Sequence, residues 1–345
     1  MSKSGFNGGE RDVPLLPKRL APVLFAFLLL LLFSVAASLS LGSRTSSLQE
    51  LKDGLFHPAI NTYGANVVRK RISRTVFSLC VGSALGVSGS LMQAVTRNPI
   101  ADPSILGVNT GAALFVVCGI AFFQITTALQ YIGAALAGAM ITAVFVYGVG
   151  SMGRGGATPI KLALAGAATS AALSSAVSAI LLPRSYVMDQ YRFWQVGSVG
   201  SATWAGVAAF LPFLAIGLLI AVFSSAALNA LALGDEAATG LGVRTGLLRL
   251  VSAFGGVLLC AATTALAGPI GFIGLLAPHV TRLFLGADLR YTIPASALSG
   301  AVFLTIADVI GRLLTYPGEL EVGIVTAFVG APVLILAARR AKVCT

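Results

Sequence analysis

Long uncharged apolar stretches alternate along the chain with short polar joints. Positions 75–96, 103–153, 162–183 and 193–234 contain no Asp, Glu, Lys or Arg. A hydrocarbon core about 30 Å thick takes roughly 20 apolar residues per helix, so each stretch supplies one or two crossings. The stretches are apolar on every side, whereas a membrane barrel alternates polar with apolar positions. The pattern therefore predicts an all-α, polytopic membrane protein. Breakers and charges divide it into ten spans, near 20–42, 75–96, 104–123, 127–149, 162–182, 203–224, 246–267, 271–285, 291–311 and 322–338.

The joints carry their own signals. Between the second and third spans, Arg97-Asn98-Pro99-Ile100-Ala101-Asp102-Pro103 holds two prolines that forbid continuous helix. Asp102 is placed there to cap a helix beginning at Pro103, so the chain reverses sharply. Gly268-Pro269 breaks what would otherwise be one very long helix and leaves a short eighth span ending near Arg282. Such a break at membrane depth needs a protein or aqueous lining. Gly82 and Gly86, and again Gly107 and Gly111, stand four apart; this spacing suits close packing inside the bundle, or alternatively a dimer interface. The first apolar run follows Lys18-Arg19, and its length and the spans behind it suit an uncleaved first helix better than a secretory signal.

Composition agrees with lipid as the main solvent. Of 345 residues 57% are hydrophobic and 10% charged, with a mean hydropathy of +0.91. That is less than half the charge of an ordinary soluble domain. The net charge of +11 would suggest nucleic acid in a soluble protein. Here Lys and Arg sit between apolar runs, where headgroups and topology account for them, and no nucleic-acid partner is expected. Ten spans put both termini on one side, and both are basic: Lys3, Arg11, Lys18 and Arg19 at one end, Arg339, Arg340 and Lys342 at the other. The positive-inside rule makes that side cytoplasmic. Arg44, Lys52, Arg69, Lys70, Arg71 and Arg74 then fall outside, against the rule. Either a long loop translocates regardless of charge, or the cluster is an electropositive rim for an acidic soluble partner.

Candidate chemistry is sparse. Cys80, Cys118 and Cys260 lie in apolar runs and Cys344 in the tail, without a Cys-x-x-Cys spacing, so neither disulfide framework nor metal site is expected. His57 and His279 lie far apart in the sequence, one in a loop and one near a helix end, and no metal site is expected of them. No Gly-x-x-x-x-Gly-Lys-[Ser/Thr] loop occurs, so any ATP that drives the chain is hydrolysed elsewhere. Asp308 alone among carboxylates sits inside an apolar span, where it costs about 2.5–3.5 kcal/mol. Arg312 follows at i+4 on the same face, which favours a structural ion pair near the outer interface over a proton relay. Segment 233–244 is a cytoplasmic connector in which glycines bracket a short Ala-rich helix led by Asp235 and Glu236; it is slim enough to dock in a groove of another protein, or is an ordinary connector. Tyr186, Tyr191, Phe193 and Trp194, mixed with Arg184, Asp189 and Arg192, have the composition of an outer interfacial helix, an aromatic belt rather than a substrate-stacking surface.

Taken together the motifs become specific: Arg71-Ile-Ser-Arg74-Thr, Gly89-Ser-Leu-Met-Gln93, Arg97-Asn-Pro-Ile-Ala-Asp-Pro103, Leu106-Gly-Val-Asn109, Gly268-Pro-Ile-Gly-Phe-Ile-Gly274, Ala277-Pro-His279 and Gly330-Ala-Pro332. From about residue 65 to 340 the chain resembles the iron-siderophore, haem and vitamin B12 permeases of ABC importers. Asp189-Gln-Tyr-Arg-Phe-Trp-Gln195 and Ala307-Asp-Val-Ile-Gly-Arg312 are most similar to the ferric-enterobactin permease subunits. The tail through Arg19 matches no motif of that family.

The resemblance implies a type II ABC importer permease fold: one transmembrane domain over 20–340 between cytoplasmic tails 1–19 and 341–345, in the bacterial inner membrane. It implies a second permease subunit, identical or related, two ATPase subunits that bind ATP and Mg, and a periplasmic or lipid-anchored binding protein that delivers the substrate. The chain itself would be no enzyme and hold no cofactor. By the same resemblance Arg71, Arg74 and Arg312 receive carboxylates of the binding protein. Gly234, Asp235, Glu236, Ala237, Ala238, Thr239, Gly240, Leu241, Gly242 and Val243 couple to the ATPase, and Asn98, Pro99 and Ile100 form the inner gate. An already chelated substrate needs a roomy, weakly interacting path, in keeping with the lack of metal ligands. The implied cargo is a ferric siderophore, with haem or vitamin B12 as alternatives. An ion-coupled secondary transporter using Asp308, and a non-transporting membrane scaffold, are the competing classes.

Overall fold

A computed structural model of the protein describes residues 20–42, 44–57, 59–152, 159–315 and 318–341. Tail 1–19 and nearly all of tail 341–345 lie outside the described residues, as do Arg154 and the side chains of Phe193, Arg339 and Arg340.

Every regular element among the described residues is helical: α1 (Leu20–Ser40), α2 (Leu48–Phe56), α3 (Tyr63–Thr96), a 3-10 turn (Pro103–Leu106), α4 (Val108–Phe123), α5 (Ala128–Ser151), α6 (Pro159–Leu181), α7 (Ser185–Gln195), α8 (Trp204–Ala232), α9 (Asp235–Gly240), α10 (Thr245–Ala267), α11 (Ile273–Leu285), α12 (Leu289–Leu314) and α13 (Val322–Ala341). Helices α1, α3, α5, α6, α8, α10 and α12 are long and apolar enough to cross a membrane, and α4, α11 and α13 are shorter apolar helices. These ten coincide with the ten expected spans. The chain is a multi-pass, all-α membrane protein.

Local chemistry sets the helix starts. Ser47 and Glu50 form a capping box at α2, and Thr127 and Gln130 another at α5. Asp102 accepts from the Ser104 N–H at 2.9 Å and opens the 3-10 turn with Pro103 behind it, as its position predicts. Asp288 caps α12 through the Arg290 N–H, and Thr203 caps α8 through the Gly206 N–H.

Helix α3 is the central post, packed against α8, α10, α11 and α12. At 34 residues it is about 50 Å long, far more than the bilayer core demands. Its glycines admit the neighbours: a methyl group at Gly82 would strike the Gly300 carbonyl, and one at Gly86 the Ser296 carbonyl. Gly111 meets Gly138 and Thr142 of α5 in the same way. The four-residue glycine spacing thus serves packing within one chain. At the periphery α1 buries only Phe27, Ser34 and Ser38 and turns Phe25, Leu28, Leu32 and Phe33 outward, toward lipid.

The break after α10 is lined by protein. Gly268 and Phe272 adopt left-handed conformations (φ 73° and 69°). The Ser198 N–H donates to the Ala267 carbonyl at 2.7 Å, and the Trp194 indole N–H to the Ala265 carbonyl at 3.0 Å, so the end of α10 is capped from α7 and the segment after it. The aromatic cluster thus also reaches into the bundle, beyond the interfacial belt that its composition suggests. Tyr186 is exposed, but Tyr191 is buried and lies 5.7 Å from Trp194, because the free carbonyls of α10 offer the indole a partner inside the bundle.

Candidate functional site

Two polar clusters occupy opposite ends of α3. At the end opposite Arg97, Arg71 and Arg74 share one helix face three residues apart. Arg71 is buried, and its guanidinium donates to the carbonyls of Leu39 (3.1 Å), Ser40 (3.2 Å) and Arg44 and to the Ser46 hydroxyl (3.0 Å). Arg312 of α12, 2% exposed, donates to the carbonyls of Ser38 (3.0 Å) and Leu41 (3.2 Å) and to the Ser38 hydroxyl (2.8 Å). Together they satisfy the carbonyls that the last turn of α1 leaves without helical partners and set cations at the negative end of its dipole.

Asp308 holds this arrangement together. Only 1% exposed, it accepts a forked pair from Arg74 (2.7 and 3.1 Å) and pairs with Arg312 at 3.1 Å. The i+4 pair with Arg312 is the one expected, but the stronger partner, Arg74, lies 234 positions away. The outward nitrogen of Arg74 donates to Glu319 at 2.6 Å, and Glu319 is 41% exposed. Arg71 and Arg312 are therefore spent inside the chain, and Arg74 borders the surface through Glu319. Arg44, Lys52 and Lys70 are exposed basic side chains of this end, as is Arg192 of α7, which pairs with Asp189 at 3.2 Å. Sequence spacing holds no signal for Glu319.

The second cluster begins where α3 stops. Arg97 ends the helix in the left-handed conformation (φ 51°), with Asn98 N–H donating to the Gln93 carbonyl at 3.2 Å. The Asn98 side chain then accepts from the Ile100 N–H at 3.1 Å, closing the turn that the two prolines demand. Pro99 and Ile100 are exposed. A cleft of about 130 Å³ opens beside them, lined by Met92, Thr96, Asn98, Ile100, Asp102 and Leu162. Withdrawal from water pushes the Asp102 carboxyl upward from its ordinary 3.8, against the pull of its Ser104 contacts.

Segment 233–244 folds as expected, with α9 bracketed by Gly234 (φ 120°) and Gly242 (φ 80°). Ala238 is fully buried against the bundle, whereas Glu236, Ala237, Thr239 and Gly240 face outward between exposed Leu233 (72%) and Leu241 (66%). Asp235 accepts from Arg249 of α10 at 2.8 Å and from Arg97. The structure thus joins two regions marked separately in the sequence, the turn at Asn98 and the segment at Gly234. Nearby, Asp288 takes hydrogen bonds from Arg290 and from Asn229 of α8, which hold its carboxyl down at about 2.

No group of three or more His, Cys, Asp and Glu side chains with metal-site geometry occurs among the described residues. The profile of the FecCD transport family matches residues 30–340. The chain belongs to that family. It is 40% identical over 313 residues to the ferric enterobactin transport system permease protein FepD of Escherichia coli, covering 91% of this chain and 93% of that one. It is 38% identical over 320 residues to the probable siderophore transport system permease protein YfiZ of Bacillus subtilis, covering 92% and 96%. A solved inward-facing structure of a metal-chelate type ABC transporter superposes with a TM-score of 0.79 at 27% identity, over 92% of this chain and 99% of that one. Other members of the family named for iron-hydroxamate, iron-citrate and hemin transport are similar at 33–40% identity.

Proposed function

We propose that the chain is the permease subunit of a binding-protein-dependent ABC importer, carrying a ferric siderophore of the catecholate, enterobactin-like kind across the bacterial cytoplasmic membrane. The observation that carries this reading is the joint placement of its two clusters. An arginine-rich end and a slim exposed segment flanked by Leu233 and Leu241 lie at opposite ends of one bundle, in a chain 40% identical to a ferric enterobactin permease. Segment 233–244 docks on an ATPase subunit, which binds ATP and Mg and does the hydrolysis; this chain is not an enzyme and carries no cofactor. A second permease, identical or related, completes the path. Residues 20–340 form its single transmembrane domain, with both tails cytoplasmic by the excess of basic residues there.

The binding protein docks on the opposite end. Arg74 is its contact, and Arg71 and Arg312 shape the platform by fixing the end of α1. Arg44, Lys52 and Lys70 supply the field that steers an acidic partner. Asn98, Pro99 and Ile100 gate the cytoplasmic mouth. Relatives named for hemin transport support haem as the alternative cargo.

Co-purification tests the assembly, and uptake tests the cargo. The expected result is recovery of the chain with a second permease and an ATPase, and ATP-dependent uptake of ferric enterobactin in proteoliposomes supplied with the binding protein. Uptake that needs an ion gradient and no ATP would refute it.

A further inference from the structure

Asp235 is bonded to arginines of two different spans. Its Oδ1 accepts from Arg97, the left-handed residue that closes α3 one position before Asn98, and from Arg249 of α10 at 2.8 Å, with Oδ2 at 3.1 Å from the same nitrogen. Helix α9 has six residues and stands between two positive-φ glycines, so neither flanking helix continues into it. It rests on α8 and α10 through Ala238. Its tie to the turn at 97–100 is the carboxylate of Asp235. Arg249 has a buried Nε without a hydrogen-bond partner, so this side chain is held through its outer nitrogen on Asp235.

We propose that Asp235 is the positioning residue that registers the coupling segment to the cytoplasmic turn, so that a displacement of α9 moves Arg97, and with it Asn98, Pro99 and Ile100, as one body. This rests on the importer reading of segment 233–244 and names the strut by which that segment works. The bridge is half exposed, and exposed ion pairs add little to stability. Its consequence therefore lies in coupling and not in folding. One carboxylate between two guanidiniums fixes a bearing that a single exposed pair would leave loose. Glu236, the neighbouring acid, points outward and makes no such bridge among the described residues.

The test uses the assembled permease–ATPase complex in proteoliposomes, with the binding protein and iron-loaded enterobactin or hemin as probes, and reads ATP hydrolysis and uptake together. In Arg97→Ala, outside the docking segment, the complex forms and hydrolyses ATP at close to the wild-type rate, while substrate moved per ATP falls about fivefold or more, the lower end of ordinary coupling between sites; in Asp235→Asn the yield per ATP falls by the same factor, whatever its rate of hydrolysis. The double variant is no worse than either single one, because both remove the same bridge. An unchanged yield per ATP in either variant overturns the proposal, as do additive losses. If Asp235→Asn fails to assemble, Arg97→Ala decides, since Arg97 lies outside the docking segment. A wild-type complex that never joins an ATPase, or moves neither probe, refutes the importer reading itself and is distinguished from failure of the strut by the wild-type control.

Discussion

Arg312 donates to both the carbonyl and the hydroxyl of Ser38, 274 positions earlier in the chain. The contact ties the first span to the penultimate one, and it depends on a guanidinium: Nη1 and Nη2 fork onto the end of α1 while Nη2 also meets Asp308. We predict that Arg312→Ala costs about 2–3 kcal/mol, the range for a buried charged hydrogen-bonding group removed from its partners. Arg312→Lys should recover only part of this. Thermal unfolding in detergent, read beside trypsin access to the 41–47 loop, measures it; a melting temperature unchanged in Arg312→Ala would contradict the capping role.

Asp308 distinguishes importer from ion-coupled carrier. Its carboxylate is paired with both Arg74 and Arg312, the arrangement of a structural ion pair that ties α3 to α12. Asp308→Asn is expected to lower stability and to leave uptake dependent on ATP, with a pH profile parallel to wild type. Selective loss of a pH-dependent component of uptake would restore the carrier reading.

Arg74→Glu places like charges against Asp308 and Glu319 and is expected to abolish binding-protein-dependent uptake while the protein still reaches the membrane. Glu319→Gln removes the internal partner of Arg74 and leaves its outward nitrogen freer. It should tighten binding-protein association, measured on immobilised complex. Weaker association after Glu319→Gln would place the docking contact elsewhere.

Close approach of α3 and α12 predicts that Gly82→Ala and Gly86→Ala are each destabilising. The obstructing atoms are backbone carbonyls, which cannot rotate away as a side chain would. Overpacking of this kind costs about 1–3 kcal/mol. Gly133→Ala, with open space around the position, is the control and should be neutral in the same melting assay.

Asp288 gives the fold a pH dependence of definite sign. Its folded carboxyl is held at about 2, below the ordinary 3.8, first by Arg290. The group therefore stabilises the joint of α8 and α12 above pH 3.8, and that contribution fades as pH falls toward 2. The stability difference between wild type and Asp288→Asn should close across this window. A gap that persists at its acid end would assign the effect to shape rather than charge.

The spans were legible because apolar length is a property of the chain itself, and the reversal at Arg97–Pro103 because proline acts locally. The Asp308–Arg312 pair was legible for the same reason, being one helical turn long. Arg74–Asp308 was not, since nothing in either neighbourhood encodes a partner 234 residues away. The inward turn of Arg71 was hidden likewise, as was the grip of Arg312 on α1, because the carbonyls that receive these guanidiniums are brought to them only by the fold. Helix α2 escaped notice inside a charged loop, although Ser47 and Glu50 spell its capping box. Trp194 looked like a headgroup anchor because the carbonyls it caps belong to α10, 71 positions on.

Gly82, Gly86 and Gly89 bring α12 and α11 against the middle of α3, while Arg71 and Arg97 sit toward its two ends. A stiff rod gripped at its waist behaves as a lever with the glycine contacts as fulcrum. A tilt about that waist carries its tips, and with them Arg71 and Arg97, in opposite directions.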